Sequence, residues 1–289
     1  MLKSDGVFFT SVNNASEERR LHDTRLSQHL YKTLLHCAST NQEKEEPMSA
    51  GKANCLVCGE PIVYHEQAQE YTCHLCGKTE TGHCACTAGH YVCDACHRSE
   101  GVRQSNEYLA AATSKNPVDL AMHMMDQAVI YPNGPEHHTL IGACLLAAYA
   151  NAGGDIDKEK ALEELKKRSM QVPGGTCGFW GTCGAAVSAG QFWSIVSGSS
   201  PMTDVSWGQC QKLTSNILGK LAEYGGPRCC KRTGFIAIQE AVKFAKETTG
   251  VEMELPKTIT CHWFPRNAEC LRDRCPFFPE GAVHPNDKQ

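Results

Sequence analysis

Paired cysteines constrain this chain more than any other feature. Eighteen cysteines stand among 289 residues, and those between residues 55 and 96 fall into the short-spaced pairs that hold a metal ion. The pairs are Cys55-x-x-Cys58-Gly59, Cys73-x-x-Cys76-Gly77, Cys86-x-x-x-His90 and Cys93-x-x-Cys96. A two-residue spacer lets two thiolates face one ion in a tight turn, and the glycine that follows accepts the left-handed backbone the turn needs. Four protein ligands leave no open position for water, so zinc held in this way is structural. Its binding energy folds a segment too short to build a core of its own.

About two zinc ions are implied, and two groupings fit the spacing. In the interleaved one, Cys73, Cys76, Cys93 and Cys96 hold one ion, and Cys55, Cys58, Cys86 and His90 hold the other. In the sequential one, Cys55, Cys58, Cys73 and Cys76 make a zinc ribbon, and Cys86, His90, Cys93 and Cys96 the second site. Pro61–Tyr71 and Lys78–Tyr91 are each long enough for a hairpin, and Cys93 begins a short helix. That order of knuckle, hairpin and helix-borne pair is similar to a treble clef. His83, Cys84 and His97 are spare donors.

Composition excludes several classes. A net charge of -4 and a pI near 6.3 do not suit a chain that coats nucleic acid or a polybasic membrane-surface protein. No apolar run approaches the roughly 18 residues needed to span a bilayer, and the N-terminus lacks a secretory apolar core, so a cytoplasmic location is expected. In a reducing cytosol, many cysteines mean metal ligands or redox chemistry and not a disulfide framework.

Residues 1–47 are polar and charged and read as a disordered extension, with Met48 an alternative start just before the first knuckle. Residues 54–100 form the zinc-binding module. Beyond it the periodicity predicts helices over 117–130, 139–152, 158–170, 183–196, 207–224 and 229–248, joined by Gly/Pro-rich connections. The fold expected is mainly α: a small N-terminal treble-clef or zinc-ribbon-like module followed by an all-α, cysteine-rich domain over 112–280.

Two glycine-rich turns carry the remaining unusual cysteines. Cys177-Gly-Phe-Trp-Gly-Thr-Cys183-Gly-Ala runs into a thin helix, so Cys183 stands near a helix N-terminus, where unpaired N–H groups favour a thiolate. Gly225-Gly-Pro-Arg228-Cys229-Cys230-Lys231-Arg232 repeats the device with three cations beside two thiols. Convergence of these helix starts would make a thiol-rich anion pocket, with Cys177, Cys183, Cys229 and Cys230 ligating a cluster or forming a redox dithiol. Arg228, Lys231 and Arg232 would hold an anionic group. In Gly134-Pro-Glu136-His137-His138, Glu136 either caps the next helix or moves protons with His137. The tail offers Cys261, Cys270 and Cys275, the last followed by proline, as ligands of an iron–sulfur cluster or of a third zinc. Cys144, on an apolar helix, reads as core.

Together these motifs, from the knuckles through the 134–138, 177–185 and 225–232 segments to the Cys270…Cys275-Pro276 tail, resemble a domain family of unknown function. That family is common in anaerobic bacteria and methanogens and is sometimes attached to S-adenosylmethionine-dependent methyltransferases. The resemblance spans about residues 54–280 and implies no particular reaction. A shorter likeness links Cys183-Gly-Ala to a redox-active family defined by the same helix start. A thiol- or iron–sulfur-dependent redox or sulfur-transfer enzyme of anaerobic metabolism is the function expected. It would act on a small anionic substrate or with a redox or methyltransferase partner protein. The alternative is a zinc-dependent module that binds RNA or a protein, with Arg98, Arg103 and the 228–232 cluster on phosphate. The chain lacks a Gly-rich nucleotide fingerprint for methyl transfer of its own.

Overall fold

The computed structural model describes residues 55–287 apart from residue 128, and the extension expected over 1–47 lies outside them. The described residues belong to one compact unit. It opens with two antiparallel strands, β1 (Ile62–Thr72) and β2 (Thr79–Cys86). Eight α-helices follow: α1 (Asp94–Ala111), α2 (Pro117–Met125), α3 (His137–Asn151), α4 (Lys158–Ser169), α5 (Thr176–Phe179), α6 (Gly184–Val196), α7 (Val205–Tyr224) and α8 (Cys230–Thr249). The tail beyond is irregular, with short 3-10 turns at 264–266, 272–274 and 285–287. The molecule is mainly helical with a small N-terminal sheet, the class the sequence predicts.

The local order of the zinc-binding module differs from expectation. The two inter-knuckle segments are not separate hairpins. They are the two strands of one hairpin, and the Cys73–Gly77 knuckle is its tip. The sequence Ile62–Thr72 holds no Gly, Pro or Asn at which a chain turns easily, whereas the knuckle supplies Gly77 at φ +73°. Residues 65–68 bulge out between Tyr64, which pairs with Cys84, and Gln69, which pairs with Gly82. The helix begun by Cys93 is 18 residues long. It leaves the metal-binding hairpin and buries Val102 and Leu109 in the helical core, so one element serves both parts.

α3 is the centre of that core. Thirteen consecutive residues, His137 through Tyr149, are buried. A helix apolar on all sides must be surrounded, and α1, α2, α4, α6 and α8 all pack on it. Cys144 lies wholly inside, as a core residue. Local signals set the flanking helices: Asn116 Oδ1 accepts from Val118 N at 3.0 Å and Asp119 N at 3.3 Å, with Pro117 at the first helical position. Small residues let α3 and α6 close on each other. A Cβ on Gly142 would stand 2.8 Å from the Ser188 carbonyl oxygen and 3.0 Å from Leu165.

Gly142→Ala is therefore expected to lower stability by about 1–2 kcal/mol, overpacking outweighing the gain in helix propensity. Gly219→Ala on α7, where a Cβ meets nothing within 4 Å, should raise it by up to about 1 kcal/mol. Thermal unfolding of the two variants checks the opposite signs.

Candidate metal and thiol centres

The hairpin gathers two four-ligand groups. Cys55, Cys58, Cys86 and His90 form one and Cys73, Cys76, Cys93 and Cys96 the other, each with its ligand atoms within 4.8 Å of one another. The grouping is the interleaved one. Bonds of about 2.3 Å to a tetrahedral ion put sulfurs about 3.8 Å apart. Cys58 and Cys86 are 3.8 Å apart and Cys76 and Cys93 3.7 Å, while His90 Nδ1 is 3.2 Å from the Cys58 sulfur. The knuckles repeat one geometry: Gly59 N donates to Cys55 O at 2.8 Å and Gly77 N to Cys73 O at 2.9 Å. Backbone N–H groups also aim at sulfur, from His90 to Cys86 at 3.2 Å and from Cys93 to Cys73 at 3.3 Å.

These donors favour thiolates. Burial alone would raise the Cys73 thiol, but N–H groups of Cys93, Cys76 and Leu75 outweigh it and bring it down to about 6. Burial is likewise outweighed at Cys86, brought down to about 7 by the N–H groups of His90 and Ala88. Of the spare donors, His83 Nδ1 faces His65 O at 3.3 Å, and His97 stacks on Tyr131 with ring centroids 3.5 Å apart. Neither His97 nor Cys84 joins a metal group.

The second region lies where α3, α6 and α8 begin. Gly184, the first residue of α6, packs against the His138 ring of α3. Cys230 N, at the start of α8, donates to Asn133 Oδ1 at 2.9 Å. The helix starts expected to meet, those at Cys183 and at Cys229–Cys230, do so, joined by the start of α3. Adjacent residues on a helix point about 100° apart, and the two neighbouring cysteines part company there. Cys230 turns inward, where burial and the nearby Glu136, Cys229 and Cys183 push its thiol up to about 12. Cys229 instead lines a separate cavity with Cys261, Cys270 and Cys275. Cys177 is exposed on α5, and no described contact links it to the other thiols.

Around Cys230 lies a buried chain of titratable groups. Glu136 does not cap α3. Its carboxylate accepts from Tyr131 N at 3.1 Å and faces His137 Nδ1 at 3.4 Å. His137 Nε2 is 3.1 Å from Lys231 Nζ, which also donates to Tyr131 O at 3.2 Å and lies 5.4 Å from the Trp263 ring centre. Accepting from the ammonium leaves His137 its proton on Nδ1, facing Gly134 O at 3.2 Å and Glu136. Burial, aided by Lys231, lowers the His137 pKa and keeps the ring neutral. Burial also brings Lys231 down to about 8, against the pull of Cys230 and Glu136. Burial would raise the Glu136 pKa, but the hydrogen bond from His137 outweighs it and holds the carboxyl below its usual range.

Sequence reading named His97 as a spare donor and Arg98 as a phosphate contact but did not place either beside Glu136. His97 Nε2 and Arg98 Nε are buried without a hydrogen-bond partner, and both side chains feel the Glu136 charge. The only available signal was their place directly after a metal ligand. Of the cations proposed for an anion, Lys231 and Arg232 are buried while Arg228 is exposed. Arg232 Nη2 is spent on Gly225 O and Pro227 O at 3.0 and 2.9 Å, holding its own turn.

The model of DUF5714, a family of unknown function, matches residues 106–278, more than half of the chain. The chain belongs to that family. The match begins within α1, after the metal-binding hairpin, and takes in every helix start and tail cysteine of the second region, a narrower span than residues 54–280. No curated protein and no solved structure matches the chain.

Cys76→Ser is expected to cost one equivalent of bound metal and Cys58→Ser the other, each leaving its neighbour loaded. Metal analysis of the two variants and of their double mutant checks this grouping.

Proposed function

We propose that the protein is a thiol- or iron–sulfur-dependent redox or sulfur-transfer enzyme that carries two structural zinc ions in its hairpin. One observation carries the reading: the half-buried Cys183 and Cys230 lie near a carboxylate, a neutral imidazole and unpaired polar atoms of His97 and Arg98. Buried polar atoms without partners are rare in a folded protein and mark a place where a ligand supplies the missing bond.

Cys183, at the N-cap of α6, takes the attacking role. It attacks a sulfur–sulfur bond of the substrate, and the outer substrate sulfur leaves as a thiol with the proton that Cys183 gives up. Cys230 then attacks the Cys183 sulfur and displaces the remaining substrate sulfur, which leaves with the proton that Cys230 gives up. The substrate disulfide is thereby reduced to two thiols and the protein is left with a Cys183–Cys230 disulfide, which an external dithiol reduces. The test is oxidation of the intact protein with a small azo oxidant, followed by peptide mapping. A Cys183–Cys230 disulfide is expected in wild type. Free thiols at both positions would overturn the reading.

A partner protein is favoured over a free small substrate by the loop beside Cys177. Phe179 is 90% and Trp180 67% exposed, apolar surface that a solitary enzyme has no reason to present. A Phe179→Ser/Trp180→Ser double variant should keep its rate with a small oxidant and lose at least several-fold with a protein donor such as a thioredoxin-class dithiol. Equal rates with both would remove the docking role.

A further inference from the structure

Cys229, Cys261, Cys270 and Cys275 come from two places in the chain and line one cavity, walled by Lys231, Arg232, Trp263 and Phe277. None of the sequence spacings joins Cys229 to the other three. We propose that these four cysteines ligate a polynuclear iron–sulfur cluster. The proposal rests on the iron–sulfur form of the function above and moves that centre away from Cys177, Cys183 and Cys230.

The first ground is how the sulfurs are served. Arg232 N donates to Cys229 at 3.5 Å and Arg272 N to Cys270 at 3.4 Å. Two of the four thiols thus receive a backbone donor from two or three residues onward, the device seen where Val57 N donates to Cys55 at 3.4 Å in the hairpin. Core cysteines need no such donors, while thiolate ligands are tuned by them. At Cys270 the donor is held in place against the backbone's own preference: Arg272 has φ +54°, the one non-glycine residue at positive φ among the described residues.

Charge and shape agree. An oxidised cluster with four thiolates carries a net charge of about −2, and Lys231 and Arg232 stand in the cavity wall as the matching cations. Phe235, Trp263, Phe264 and Leu271 complete a wall that keeps water away.

A single zinc ion fits these four sulfurs less well. Among the described residues, the groups whose ligand atoms lie within 4.8 Å of one another are the two in the hairpin, and the tail set is not among them. A polynuclear core holds its thiolates farther apart than one ion does, because irons and bridging sulfides stand between them. The cavity itself is about 20 Å³, room for roughly one water. Loading therefore requires its walls to move outward.

The test is reconstitution of the full chain with ferrous iron and sulfide under strict anaerobiosis, then zinc, iron and acid-labile sulfide analysis and a visible spectrum. Wild type should hold iron and sulfide in addition to the hairpin metal and absorb broadly near ~400 nm. Cys270→Ser and Cys275→Ser should each lose at least fivefold of the iron and colour. Hairpin zinc and the circular dichroism of the helices should persist as evidence of folding. Cys183→Ser and Cys230→Ser should keep the colour, which separates failure of the cluster from failure of the dithiol. A third zinc at the four cysteines, no bound sulfide, or iron that survives the Cys270→Ser/Cys275→Ser double variant would each overturn the proposal.

Discussion

A buried ammonium needs a partner for each of its N–H groups, and meeting that need at Lys231 organises the molecule's most unusual region. The Tyr131 carbonyl and His137 imidazole take two of them, and the Trp263 ring faces the charge. These contacts tie the loop before α3 and the irregular tail to the first turn of α8. With that turn fixed, Cys229 and Cys230 are fixed too, on opposite sides of it. One thiol lines the tail cavity, and the other lies within reach of the Glu136 charge. Cutting a charge chain of this kind in the middle leaves uncompensated charge in an apolar interior, which is costlier than never burying it.

The hairpin reaches the same region by a different route. Too short to fold on hydrophobic burial, it depends on two metal-ligand groups, and α1 starts inside one of them. Directly after its ligand pair α1 presents His97 against Tyr131, and Arg98 reaches the Ser169 and Met170 carbonyls at the end of α4 at 2.8 and 3.3 Å. Loss of the neighbouring metal would release the end of α1 that positions both side chains. The hairpin's metal-ligand groups and the region around Glu136 are thereby joined through one helix.

Each hairpin ligand group contains one thiol, Cys86 or Cys73, at which backbone N–H groups outweigh burial, while burial raises Cys55, Cys93 and Cys96. At Cys230 burial dominates.

Much was legible in sequence because it depends on neighbours along the chain. The knuckles, their glycines, the helix starts at Asn116, Cys183 and Cys229 and the apolar core of α3 all follow from local spacing and period. So did the mainly helical class. What sequence left open was which pairs share an ion, since both groupings satisfy the same spacers. Only the single bulged hairpin, with its knuckle at the tip, brings Cys86 to Cys55 and Cys93 to Cys73. The assignment of Cys229 to Cys261, Cys270 and Cys275, and of Cys230 to Glu136, likewise came from tertiary structure. Spacing determines which residues can face one another across a turn. Contact between residues far apart in the chain is decided by how helices pack and where a buried charge finds its partners.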